Sequence, residues 1–375
     1  MVRVSHQLPD GRGSVSHGME EPDLGVRRGR GRPPHVLAVC LILPLAVFAA
    51  PPAGKTGCAT CHQEEARLLP KSAMGIAIEL ADDQAVLKDH PHLSSESNGY
   101  KYVIERKDGV SIYTVSDGSG SLALPIRYVF GVSSQTFVFE YGGHFYESMV
   151  SYYPNAGGIA VTMGSERLRP HNLVEAMGRE TPMQEIVSCF GCHSSGGVSQ
   201  GRLTLDSMRP GLDCEHCHQG ANVHQEALAQ GKPAATPKKL GEMPAEDMSN
   251  FCGTCHRTWD AVLRMKSWGQ VNVRFQPYRL ANSKCFLGND RRISCTACHN
   301  PHTNLVRDDA SYDHNCLACH GKSSGSDGAA MQKPCPVSST KCVSCHMPKV
   351  ELPGGHSIFT DHQIRIVHAG EPYPN

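Results

Sequence analysis

The pattern of apolar and polar positions changes character several times along this chain. Residues 1–26 are strongly polar, and Arg27, Arg28, Arg30 and Arg32 then precede an apolar run from Val36 to Ala50. From Glu64 to about Leu80 the apolar spacing predicts a helix. Between Tyr100 and Met163 the period shortens to two, in Lys101-Tyr102-Val103-Ile104-Glu105 and Val110-Ser111-Ile112-Tyr113-Thr114-Val115. Asp108-Gly109 separates these runs, and Gly142-Gly143 separates Gln135–Tyr141 from His144–Met149, so both pairs predict antiparallel hairpins. From Leu173 onward short helical patterns alternate with loops, and Gln230–Glu246, rich in Pro, Ala, Lys and Gly, predicts a surface loop.

Composition limits what can hold such a chain together. Only 39% of residues are hydrophobic, while there are 37 Gly and 25 Pro, a poor basis for a conventional core in a chain of this length. Lys and Arg number 36 and Asp and Glu number 36, so net charge indicates neither a nucleic-acid partner nor an anionic membrane surface.

The cysteines supply the missing cohesion. Cys-x-x-Cys-His occurs seven times: Cys58, Cys61, His62; Cys189, Cys192, His193; Cys214, Cys217, His218; Cys252, Cys255, His256; Cys295, Cys298, His299; Cys316, Cys319, His320; and Cys342, Cys345, His346. With 17 cysteines and 21 histidines, chance placement yields on the order of 0.05 such pentapeptides. The spacing is that of c-type haem attachment, in which two thiols add to the porphyrin vinyl groups and the following imidazole binds iron. Zinc ribbons need no histidine fixed after the second cysteine, and a disulfide framework imposes no such spacing. Seven covalently bound haems with their irons are therefore expected, and these macrocycles would make up most of the interior.

Covalent haem attachment follows export, and the arginine-flanked apolar run reads as a signal peptide cleaved near Ala49, after Val47-Phe48-Ala49. The run is about 15 residues, short of the roughly 20 needed to span a bilayer. Met19 is a candidate true start. Cys40 follows Val39 rather than a small residue, which weakens a lipoprotein reading. The expected location is periplasmic or otherwise exported, with membrane association only through a redox partner or an uncleaved signal.

Several tracts resemble the multihaem cytochrome c superfamily: Ile126–Val132, Cys189–Ser195, Pro210–His218 with His224 beyond it, Cys295–His302, and Cys345-His346-Met347-Pro348-Lys349 with Phe359-Thr360-Asp361-His362. That superfamily includes tetrahaem cytochromes of ammonia oxidisers, pentahaem nitrite reductases, and octahaem hydroxylamine-oxidising and tetrathionate-reducing enzymes. The resemblance, over roughly residues 55–370, implies a mainly α and irregular haem-cored fold with a small antiparallel β insertion between the first and second motifs. The pattern along the chain divides it into a signal peptide with an upstream extension at 1–50, a first haem segment at 51–99, the β insertion at 100–165 and a six-haem helical domain at 166–375. The resemblance also implies that His224, His302 and His362 are distal ligands serving neighbouring haems.

The sixth iron position separates carriers from catalysts, because two histidines saturate a haem and an open position admits substrate. Eleven histidines outside the motifs and the leader are candidates: His90, His92, His144, His171, His216, His224, His302, His314, His356, His362 and His368. His314 and His356 lie in loops near motifs. His216, between its own two cysteines, reads as a solvent-facing spacer, and Met74 and Met163 are possible thioether ligands. No Cys-x-x-Cys-Lys occurs, although the pentahaem nitrite reductases and tetrathionate reductases use one at their catalytic haem. Electron transfer between transient redox partners is the expected function, with reduction or oxidation of a small nitrogen or sulfur compound at one open haem as the alternative. Two cysteines remain, Cys285 and Cys335, and in an oxidising compartment they are expected to pair.

Overall fold

The computed structural model describes residues 55–234, 236–321 and 335–374; the leader, Cys40 and the cleavage position lie outside the described residues. The two hairpins form as their turn residues predict. Asp108 (φ 52°) and Gly109 (φ 86°) join Tyr100–Lys107 to Val110–Ser116, and Gly142 (φ 60°) and Gly143 (φ 84°) join Gln135–Tyr141 to His144–Tyr153. Paired positive φ angles match the right-handed twist of the flanking strands.

The β region is larger than expected, running from Ile78 to Thr181 rather than 100–165. One sheet is a meander of His92–Ser97, Tyr100–Lys107, Val110–Ser116 and Ser121–Pro125. The other has six strands: Ile78–Leu80, Tyr128–Phe130, Gln135–Tyr141, His144–Tyr153 and Gly178–Thr181 in spatial order, with Gly158–Val161 also on His144–Tyr153. The expected helix across 64–80 is correspondingly shorter. Gln63–Leu68 is helical, Pro70 sits in a 3-10 turn, and Ile78–Leu80 becomes a strand paired with Tyr128–Phe130. Helix makes up 36% and strand 24% of the described residues, so "mainly α" is corrected to a mixed fold.

Strand alternation sorts side chains onto two faces. Tyr102, Ile104, Tyr113 and Val115 meet Phe137, Phe139, Met149 and Val150 in the main core. The six-stranded sheet's other face presents Ile78, Tyr128, Val138 and Phe145 to Ile186 and Phe190 of helix Met183–His193. That helix carries the second Cys-x-x-Cys-His, so the β region holds one motif directly. Beyond it the apolar core thins to a cluster of Val262, Phe275 and Tyr278.

Candidate functional site

All seven motifs fall on helical segments: Lys55–Cys58, Met183–His193, Cys214–Cys217, Ala245–His256, Cys295–Cys298, Asp313–His320 and Cys342–His346 reach into or span them. In a helical turn, positions i, i+3 and i+4 share a face, which sets both thiols and the imidazole on one side. Asp213 begins the third motif's turn by accepting the backbone N–H of His216. Asp313 accepts the N–H groups of Lys341 (2.7 Å) and Cys342 (2.8 Å), which fastens the seventh motif to the sixth.

Every cysteine and histidine of the seven motifs lines one continuous cavity of about 3900 Å³. A single small-molecule site occupies about 300–1,000 Å³. The space is thus the size of several macrocycles, and it takes the place of the core that the second half of the chain lacks. Among the described residues no three His, Cys, Asp or Glu side chains converge as a bare-metal site.

The imidazoles are prepared for ligation. His193 Nδ1 lies 2.8 Å from the Ala77 carbonyl, His346 Nδ1 2.9 Å from that of Arg365, and His362 Nδ1 2.9 Å from that of Thr360. A carbonyl only accepts, so each Nδ1 carries the proton and each Nε2 keeps its lone pair, the arrangement that fixes metal-binding tautomers. Burial lowers the pKa of His193, His218, His256, His299 and His362, the last to about 4, so these rings are neutral at neutral pH.

Two histidine pairs have a spacing of particular interest. His218 and His302 have ring centroids 6.2 Å apart with planes 10° from parallel, and His299 and His362 have centroids 6.1 Å apart. With metal–imidazole bonds of about 2.0–2.1 Å on each side, two histidines across one ion have centroids about 6 Å apart. His224 also lines the cavity, and its buried Nδ1 has no hydrogen-bond partner, as expected of a group awaiting a ligand or water.

Other candidates are placed differently. Neither His314 nor His356 lines the cavity: His314 is exposed, and His356 packs its ring 4.6 Å from that of Tyr153. Both proximities to motifs were along the chain only. His90 meets the Tyr152 hydroxyl at 3.0 Å, His92 meets Glu105, His144 meets Glu180, and His171 is exposed; all four are outside the cavity. His216 is no solvent-facing spacer, since it lines the cavity and contacts the Cys255 thiol. His368 and Met74 line the cavity too, whereas Met163 accepts from Arg274. Cys285 and Cys335 are free thiols, so the expected bridge is absent. Cys335 is exposed while Cys285 is half-buried near Cys316 and Cys319.

The motifs adjoin one another in an order that differs from the sequence. Gln225, just after the third motif, packs on Gly57 of the first, and the Cys58 and Cys214 thiols interact. The third meets the fourth through His216 and Cys255. The fourth meets the second, with Cys192 Sγ 3.9 Å from the Thr254 carbonyl, and the fifth, through Cys252 and Cys295. Asn315 Nδ2 donates to the Ala297 carbonyl at 2.7 Å, joining the fifth to the sixth.

Residues 162–219 match the family described as cytochrome c554 and c-prime. This segment contains the second and third motifs, and the match implies covalently bound haem c and a part in electron transfer. Comparison with curated proteins gives no match. Among solved structures the chain is similar to the outer cell wall cytochrome OcwA, at 14% identity over 83% of this chain and 79% of that one, with a TM-score of 0.46.

Proposed function

We propose that this chain is an exported seven-haem c-type cytochrome that passes electrons between transient redox partners. The observation that carries this reading is the convergence of all seven motifs on one cavity. When bound, haem supplies the one-electron ferric/ferrous couple. The protein's own residues do the rest. The Cys thiols of each motif would hold a macrocycle by two thioethers and the motif histidine would bind its iron, while backbone carbonyls of Ala77 and Arg365 orient His193 and His346. His302 is assigned opposite His218, and His362 opposite His299; His224 is assigned to a neighbouring motif. Among the described residues no helix is long and apolar enough to cross a membrane.

One observation favours a second reading, an oxidoreductase acting on a small nitrogen or sulfur compound. Of the eleven candidate histidines, five line the cavity: His216, His224, His302, His362 and His368. With seven haems bound, that set would leave two sixth positions to be filled by something other than these histidines. Met74 is placed to fill one.

Intact mass combined with pyridine haemochrome analysis of the exported protein tests the haem count, and a mass increment well below seven haems defeats it. Electron paramagnetic resonance of the oxidised protein divides the two readings. Carrier chemistry predicts low-spin signals throughout, whereas high-spin iron that shifts on adding a small ligand favours the oxidoreductase.

A further inference from the structure

Cations on the cavity wall are mostly neutralised within the chain. Arg179 pairs with Glu147 at 2.8 Å and Glu185 at 2.6 Å, and Arg365 pairs with Asp361 at 2.8 Å and Glu371 at 3.1 Å. Lys238, Lys284, Arg307 and Lys341 are exposed and solvated. Arg257 and Arg274 fit neither class: both line the cavity, both are partly buried, and neither has a carboxylate partner among the described residues.

Arg274 is the more enclosed. Its Nη1 donates to Met163 Sδ at 3.4 Å, its Cζ lies 5.1 Å from the Phe275 ring centroid, and its Nε is buried without a partner. Burial, and then the Arg257 cation, lower its pKa. A guanidinium keeps its proton in proteins, so the charge has to be met by something else. Arg257 immediately follows His256 in a left-handed conformation, φ 70° and ψ 111°, which costs energy in any residue but glycine. Its field reaches Cys189, Cys192, His193 and His256. Arg257 thus faces the space between the second and fourth motifs, and Arg274, on the same cavity wall, lies close enough to feel its charge.

From this we infer that Arg257 and Arg274 form a carboxylate- or oxyanion-binding pair on the cavity wall between the second and fourth motifs. The inference rests on the haem reading above. Guanidinium forks match planar oxyanions bidentately. Two sources share that chemistry: carboxylates on the rim of a haem held by one of these motifs, and a small free oxyanion entering the cavity. In either case a cation held beside the iron favours its reduced, less positive state and raises that haem's midpoint potential.

The test uses the full haem-loaded chain in potentiometric titrations, with and without inorganic sulfate, for wild type, Arg257→Gln, Arg257→Lys and Arg274→Gln. The expected result is a downward shift of one midpoint in each Gln variant with the remaining midpoints unchanged, restored in Arg257→Lys. Insensitivity of the wild type to sulfate assigns the site to haem carboxylates. A sulfate-induced shift in wild type that is lost in Arg257→Gln assigns it to a free oxyanion. Unmoved midpoints in both Gln variants, with no sulfate effect, overturn the pair. If Arg274→Gln fails to fold, Arg257→Gln decides alone, because among the described residues the Arg257 side chain has no hydrogen bond or ion pair to lose. Haem content of each sample, measured by pyridine haemochrome, keeps this outcome separate: a chain without haem refutes the function, whereas a loaded chain with unmoved midpoints refutes only the anion pair.

Discussion

The buried ion pair Arg279–Asp361 holds the C-terminal segment that carries His362, and its two halves should differ in what their removal costs. Both side chains are 0% exposed, and the fork is bidentate, Nε to Oδ1 at 2.8 Å and Nη2 to Oδ2 at 2.9 Å. Arg279 also donates to the Pro374 carbonyl at 2.7 Å and to Gln363 Oε1 at 2.7 Å, and lies 4.6 Å from the Tyr373 ring centroid. Removing one partner of such a pair costs about 3–5 kcal/mol, because an uncompensated charge stays buried. Asp361→Asn leaves Arg279 with neutral acceptors only and no means of discharging. Arg279→Met leaves Asp361 with Arg365 Nη1 at 2.8 Å and the Gln363 N–H at 3.0 Å, and a carboxylate can protonate. Asp361→Asn is therefore expected at the upper end of that range and Arg279→Met at the lower. At about 2 °C per kcal/mol, suitable for a chain of this size, the melting temperature falls by roughly 6–10 °C. Burial raises the Asp361 pKa, but the hydrogen bonds from Arg279 and Gln363 and the charges of Arg279 and Arg365 outweigh it, and the net shift is downward. Its contribution is thus fully present above an unfolded pKa of about 3.9 and is lost as pH falls through the lower folded value, so acid narrows the gap between wild type and Asp361→Asn only below about pH 4. Thermal melts followed by near-UV circular dichroism measure both effects. An Arg279→Met variant less stable than Asp361→Asn would refute the reasoning.

Three further outcomes are expected. His302→Ala and His362→Ala should each convert one low-spin signal to high-spin in electron paramagnetic resonance, while His314→Ala and His356→Ala leave the spectrum unchanged; a change with either of the latter contradicts the assignment. Iodoacetamide without reductant should label Cys335 before Cys285, since backbone N–H groups of Ser338 and Val337 lower the exposed Cys335 thiol and burial raises that of Cys285; failure to label either thiol, with an intact mass 2 Da low, would restore the disulfide. Phe190→Ala should cost about 3–5 kcal/mol, because Phe190 is fully buried with ring centroids of Tyr128 and Phe130 at 5.0 and 5.3 Å; a melting temperature within 2 °C of wild type would show that this face of the sheet does not hold the second motif.

The parts of the fold that read correctly from sequence are those fixed locally. Asp108-Gly109 and Gly142-Gly143 sit where a two-residue turn demands positive φ, and the period-two runs beside them have one buried face. The motifs, too, are contiguous pentapeptides. Ile78–Leu80 and Gly178–Thr181 escaped because strands of three and four residues carry too little periodicity, and each is fixed by a distant partner, Tyr128–Phe130 or His144–Tyr153. Distal ligands depend on the same long-range placement. His302 and His314 both lie near motifs in sequence, yet His302 faces His218 across the cavity and His314 faces outward.

The adjacency of the motifs bears on how a carrier of this kind would conduct. First, third, fourth, fifth, sixth and seventh motifs adjoin in that order, and the second joins at the fourth. A simple conduit has two ends, whereas this arrangement has three: the first, the second and the seventh. His62 at the first is exposed, which suits exchange with a docked partner, while His193 at the second is partly buried against Phe130, with ring centroids 5.3 Å apart. The second motif is also the one anchored to the β region through Phe190, and it lies beside the Arg257 cation. On the proposed reading the six-motif line would carry current between partners, with the second motif as a side branch beside the β region and Arg257.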